Sequence, residues 1–154
     1  IVIQSTKIFT YEDLGKWYHV VIVLDGKKAK IYINGTLDNQ VTWNNTFAVT
    51  NYNILIGNNP DNIRQFNGYI AFTRIYNCAL SEDEIRHNYY FPNDPVKDGL
   101  VLWLHWDSID IEADKWYDKS GYGNHGDIYG ATLVEIIKSP TRILSPTRII
   151  GLEM

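Results

Sequence analysis

From Trp17 to Leu24 almost every position is apolar, with Trp17, His19, Val21 and Val23 on one face of an extended chain and Tyr18, Val20, Ile22 and Leu24 on the other. A strand apolar on both faces predicts a central place in a sheet covered on both sides. Asp25-Gly26 breaks the run, and residues 29–34 resume it with Ala29, Ile31 and Ile33 facing inward and Lys30, Tyr32 and Asn34 outward. The two segments read as a β-hairpin, because Asp-Gly reaches the positive φ angles of a tight turn at little steric cost. Asn34-Gly35 repeats the device at the far end. A dry strand beside a half-wet one is the pattern of one layer of a β-sandwich.

Other stretches are weaker. Residues 1–10 predict an incoming strand, and residues 11–16 a turn closed by Gly15. The polar stretch 36–50 alternates faintly through Val41, Trp43, Phe47 and Val49, as a strand or an extended loop would. Residues 52–57 predict a strand that ends in a loop of Gly, Asn, Pro and Asp over residues 57–62. Residues 66–77 alternate well, with Gly68 near the start marking a bulge or a close backbone approach. Ser81 with Glu84 is a capping box that opens a short helix to about Tyr90, and Ile85 and Tyr89, four apart, press it onto the sheet. Residues 91–99, with two prolines and no periodicity, read as a linker. A strand follows at 100–106, then a Gly-rich loop at 116–127 and a short strand at 128–134.

The tail repeats itself, as SPTRIL at 139–144 and SPTRII at 145–150. A proline in each copy precludes a helix, so residues 137–154 predict an extended arm. Its four aliphatic side chains have no evident intrachain partner, and the arm is expected to drive self-association by adding a strand to another chain.

A chain of 154 residues suits one domain with a sizeable core and is too short for two complete ones. The net charge of −4 argues against nucleic acid and against an anionic membrane surface, both of which require a basic face. No apolar run reaches the length of a membrane span, and the residues after Ile1 carry no signal-peptide pattern. The single cysteine, Cys78, excludes an intrachain disulfide and a Cys-based zinc site, and is expected in the core. Eleven Tyr and five Trp suit either a β core or exposed platforms for stacking sugar rings.

Three blocks together resemble the laminin G-like, concanavalin A-like jelly-roll superfamily. They are Trp17-Tyr18-His19-Val20-Val21 with Asp25-Gly26 and Ile31-Tyr32-Ile33-Asn34-Gly35; Phe66-Asn67-Gly68-Tyr69-Ile70 through Arg74-Ile75-Tyr76-Asn77-Cys78-Ala79-Leu80-Ser81 and Glu84-Ile85; and Gly99-Leu100-Val101 with Asp118-Lys119-Ser120-Gly121 and Gly123-Asn124-His125-Gly126. The resemblance implies an all-β antiparallel sandwich with one short helix. The order departs from the family: the block that opens family domains here follows the one that closes them, and the middle strands are absent. Residues 1–95 then form a closing-half block, 96–136 an opening-half block and 137–154 the arm. The chain either straddles two tandem domains, or is a permutation in which 100–106 pairs with the strand 66–77, or is completed by a neighbouring subunit. Permutation is favoured, because the family's first and last strands are neighbours.

No catalytic constellation stands out, and the chain is expected not to be an enzyme. Glu82, Asp83 and Glu84 serve the helix start. His19 reads as a core histidine, and His87, His105 and His125 lack metal-ligand spacing. Calcium is the one metal considered: Asp107, Asp118 and Asn124, with carbonyls of the 121–126 loop, supply hard oxygens, and the resemblance implies a structural calcium too. The competing reading has Asp118 and Asn124 bonding their own loop as Asx-turns. For a glycan or cell-surface ligand the candidates are Trp43, Tyr52, Trp116 and Tyr122 as stacking faces, with Asn44, Asn58 and Asp61 as polar partners. Asn34-Gly35-Thr36 and Asn44-Asn45-Thr46 are glycosylation sequons. Two functions follow: a carbohydrate-binding or adhesion module, and a structural subunit of an extracellular filament or virion. Both predict an extracellular, cell-surface or virion setting.

Overall fold

The computed structural model describes residues 3–42, 53–59, 61, 63, 65–134 and 149–153, the last five by their backbone. Three strands open the fold: β1 (Trp17–Asp25), β2 (Lys28–Ile33) and β3 (Thr36–Thr42). Two-residue turns join them. Gly26 takes φ +55° at the first turn position, as a type II′ turn requires, whereas Asn34 (51°) and Gly35 (76°) are both positive, the signature of type I′. Asn34 also accepts the His19 N–H through its Oδ1 at 2.9 Å, so its side chain is tied into the sheet.

Next come β4 (Tyr69–Tyr76), the helix α1 (Glu82–Tyr90), β5 (Leu100–Asp110), β6 (Lys115–Asp118), the two-residue β7 (Gly126–Asp127) and β8 (Ile149–Glu153). β5 pairs antiparallel with β4, Phe72 opposite His105 and Arg74 opposite Trp103, so the strand after the linker joins the strand before it. The molecule is mostly β, with antiparallel sets of three strands (β3-β2-β1) and four (β4-β5-β6-β7) and one short helix, consistent with the expected sandwich class, and β8 joins the two sets edge to edge into one eight-stranded sheet. β8 lies between the two sheets, parallel to both β1 and β4.

α1 and the segment after it close one face of both sheets. Ser81 caps the helix reciprocally with Glu84, and Ile85 and Asn88 are fully buried beneath it. Val21, Val23 and Tyr32 from the first sheet meet Tyr76, Leu100 and Trp103 from the second around Leu80 and Ile85. Asn88 Nδ2 donates to the Tyr76 hydroxyl at 3.0 Å and its Oδ1 accepts the Val96 N–H at 2.8 Å. Arg74, wholly buried, reaches the Pro92 carbonyl and lies 4.3 Å over the Phe72 ring. Residues 91–99 are therefore stitched to the sheet rather than slack.

Several expectations are corrected. Tyr32 is buried, because pairing places it opposite Val21 on the face that α1 closes. Residues 3–10 form no strand. They run beside β3 through side chains instead, Asp38 accepting from the Thr6 N–H and hydroxyl and Asn39 donating to the Gln4 carbonyl. Residues 53–57 and 128–134 are not strands either. The first lead into a loop that the Phe66 N–H closes on the Gly57 carbonyl at 2.7 Å, and the second leave the sheet after Ile128 N–H bonds Asp114 O at 2.9 Å. Cys78 is exposed, not core, since it follows the end of β4 and rests on Gly99. The arm has an intrachain partner after all, the gap between β1 and β4.

Candidate functional site

The register between β5 and β6 breaks: Leu104 faces Asp118 and Ile109 faces Trp116, so residues 105–108 stand opposite Tyr117 alone. Bulges re-aim side chains. Here Ser108 holds the bulge, its Oγ accepting the His105 N–H (3.3 Å) and lying 2.6 Å from the Tyr117 carbonyl. Trp116 donates its indole N–H to the His105 carbonyl at 2.7 Å. Trp106 is left half exposed at the surface.

His105 points the other way, 3% exposed, among the Phe72, Trp103 and Trp106 rings. Its Nδ1 lies 2.6 Å from Asp107 Oδ1 and its Nε2 3.1 Å from Asn93 Oδ1. Burial pushes its pKa below the ordinary histidine value, against the pull of Asp107. Lys119 Nζ lies 2.9 Å from both Asp107 oxygens and 4.9 Å over the Trp103 ring. Burial alone would raise the Asp107 carboxyl, but the Lys119 and His105 bonds prevail and hold it below its usual range.

Asp118 organises the loop beside the bulge. Its Oδ1 accepts the Trp103 and Ser120 N–H groups, both at 2.8 Å, and its Oδ2 accepts the Ser120 hydroxyl (2.7 Å) and the Asn124 N–H (2.9 Å). Against the effect of burial, those bonds keep it ionised to lower pH than usual. Asn124 in turn donates through Nδ2 to the Val101 carbonyl at 2.8 Å. His125 accepts the Asp118 N–H at Nδ1 and sets its ring edge-on to Tyr117, centroids 5.2 Å apart.

Calcium requires oxygens turned toward one point with lone pairs free. The Asp118 oxygens face N–H and O–H donors and those of Asp107 an ammonium and an imidazole, which leaves the Asn124 amide oxygen as the one side-chain oxygen of the three residues not turned to a donor. As placed here, the three do not fit a calcium shell. Among the described residues no three His, Cys, Asp or Glu gather as a metal site.

Of the proposed ligand residues, Trp116 and Tyr122 come to this region, the first as a strut of the bulge and the second as an exposed loop ring. Asn58 sits in the 57–66 loop, where its Oδ1 accepts the Asn59 N–H, and Asp61 is exposed in the same loop. Trp43, Asn44 and Tyr52 lie outside the described residues. Sequence reading overlooked Trp106, Tyr117 and Lys119. No local signal marks them, because the bulge that places them exists only relative to β6.

A laminin G-like family model, described as the concanavalin A-like lectin/glucanases superfamily, matches residues 6–86, just over half of the chain. The chain belongs to this superfamily. The matched stretch holds both hairpins, β4 and the start of α1, and ends before β5 and its bulge. No curated protein and no solved structure matches. Laminin G-like domains are typically non-catalytic binding modules and are often extracellular. Among the described residues no helix is long and apolar enough to cross a membrane.

Proposed function

We propose that this laminin G-like chain is a non-catalytic carbohydrate-binding or adhesion module whose ligand surface is the β5 bulge and the loop at residues 118–126. The observation that carries the reading is the bulge itself, which turns Trp106 outward beside the Asp107–Lys119 pair. A half-exposed indole offers a stacking face to a pyranose, and Tyr117 on β6 and Tyr122 in the loop after it are further exposed rings, with His125 set edge-on to Tyr117. Catalysis is not part of the proposal: Asp107 and Asp118 are each engaged by donors, so neither is poised as acid or nucleophile. The pairing of β5 with β4 supports a permuted arrangement in which blocks 1–95 and 96–136 form one sandwich. The setting that suits such a module is extracellular, on a cell surface or on a virion.

The test is a glycan array followed by titration calorimetry on the full chain. Trp106→Ala is expected to weaken binding at least tenfold, while Tyr129→Ala, also at an exposed ring, leaves it unchanged. A chain that binds no glycan, or a Trp106→Ala variant that binds as well as the parent, removes the proposal and leaves the structural-subunit reading.

A further inference from the structure

The β2–β3 turn carries one of the two sequons, Asn34-Gly35-Thr36. The ladder of β1 with β2 ends at Val20↔Ile33, and Asn34 adds one further rung by two different routes. Its backbone N–H donates to the His19 carbonyl at 2.8 Å, and its side-chain Oδ1 accepts the His19 N–H at 2.9 Å. The amide is thereby divided. Oδ1 is fastened to β1, whereas Nδ2, on a part-exposed residue, donates to no described residue. Thr36 is exposed, and its hydroxyl meets no described partner either.

Gly35, between them, is placed differently. It is buried, and a Cβ there would stand 3.3 Å from Arg86 Cγ and from Tyr89 Cδ1, both on α1. In the finished fold α1 covers the middle of the triplet. An enzyme that grips all three residues reaches them only before α1, which follows later in the chain, has docked.

We propose that Asn34 is an N-glycosylation site, modified before α1 closes on Gly35. The proposal rests on the extracellular setting put forward above and not on the ligand surface at β5. The donor is an oligosaccharide linked to a polyprenyl diphosphate, presented by a membrane-bound transferase of the secretory route. The anomeric C–O bond to the diphosphate breaks and an anomeric C–Nδ2 bond forms. The diphosphate departs with the electron pair of the broken bond, and Nδ2 gives up one proton. Oδ1 is untouched by the reaction, so the rung to His19 survives it.

The test is expression of the full chain behind a cleavable secretion signal in a eukaryotic host, with Asn44→Gln removing the second sequon. Chains from the medium and from the cells are weighed by mass spectrometry before and after peptide N-glycosidase. The Asn44→Gln chain is expected to carry one glycan, on Asn34. Thr36→Ala in the same background removes the hydroxyl the transferase reads, leaves Asn34 and its His19 bonds in place, and is expected to carry none; Thr36→Ser is expected to keep it. An Asn44→Gln chain without glycan in either fraction overturns the proposal, as does a glycan that persists in Thr36→Ala. Thermal unfolding gives a second reading. Glycosylated chain and chain made without glycan in bacteria are expected to melt together, and a glycosylated chain that has lost its fold overturns the proposal by showing that Nδ2 does not accommodate a substituent. A glycan array probed with the bacterial chain tests the β5 surface separately, so the two readings fail independently.

Discussion

Asp13 is buried yet ionised, its carboxylate accepting from the Tyr18 hydroxyl, the Thr10 N–H and Lys7 Nζ. Those bonds, Tyr18's first, hold its pKa far below the ordinary value. His105 is depressed for a different reason, burial of a ring that would rather stay neutral. Both groups bind protons more weakly folded than unfolded, so both stabilise at high pH. The His105 contribution is present above about pH 6.5 and is lost as pH falls from there through the folded value; that of Asp13 is present above about pH 4 and is lost below it. Denaturant unfolding across pH should show two successive losses, and His105→Gln should erase only the upper one. Cys78 makes a separate prediction. It is exposed, but desolvation, with Asp98 and Glu84 nearby, raises its pKa. A thiol reagent should label it without unfolding, at a rate that keeps climbing above pH 9, and no labelling in the native state would contradict the placement. Composition misled on this residue because the burial habit of free cysteines says nothing of a position just past a strand end.

Locally encoded elements were legible. The Asn34-Gly35 turn and the Ser81–Glu84 box form where dipeptide chemistry and spacing place them, since their bonds lie within three residues, while the first turn slides one residue to Gly26-Lys27 because Asp25 still pairs with Lys28. Ser81→Ala should cost about 1 kcal/mol in denaturant unfolding. Elements that depend on a distant partner were not legible: alternation in residues 53–57 and 128–134 could not reveal that no strand lies alongside, and the bulge at 105–108 exists only relative to β6. The same holds for Gly99, whose role is invisible until β4 and β5 are side by side. A Cβ there would stand 2.3 Å from Cys78 Sγ at a φ of +71°. Gly99→Ala should therefore cost more than the roughly 1–2 kcal/mol of left-handed backbone alone. Adding Cys78→Ala should restore part of that loss, because the clashing sulfur is gone. Strictly additive losses in the double variant would show that the two residues do not touch.

At the scale of the molecule, the family and its β class were readable from three sequence blocks, and residues 6–86 carry the match. The candidate site was half readable. Asp107, Trp116, Asp118 and Asn124 do gather, their bonds building a bulge and a loop, and the exposed ring among them is Trp106. Side-chain type signals polarity, whereas donor or acceptor duty is settled only by what folds alongside. The arm shows the same limit: its repeat and prolines were plain, while its partners were two edges created by strands far earlier in the chain.

The segment between α1 and β5 has the composition of a domain boundary, and a protease would be expected to find a hinge there. Instead the chain is fastened at Pro92 by Arg74, at Asn93 by His105 and at Val96 by Tyr76 and Asn88, with Lys97 held 4.4 Å over the Trp103 ring. Cleavage needs the segment to loosen into an enzyme's cleft, and here loosening breaks contacts to β4, β5 and α1. Brief trypsin treatment should cut at Lys27, in the exposed hairpin turn, well before Lys97. Mass spectrometry that found Lys97 cut first would mean that the two blocks separate as independent bodies, and the stretch of proline and aspartate would be the joint its composition suggests.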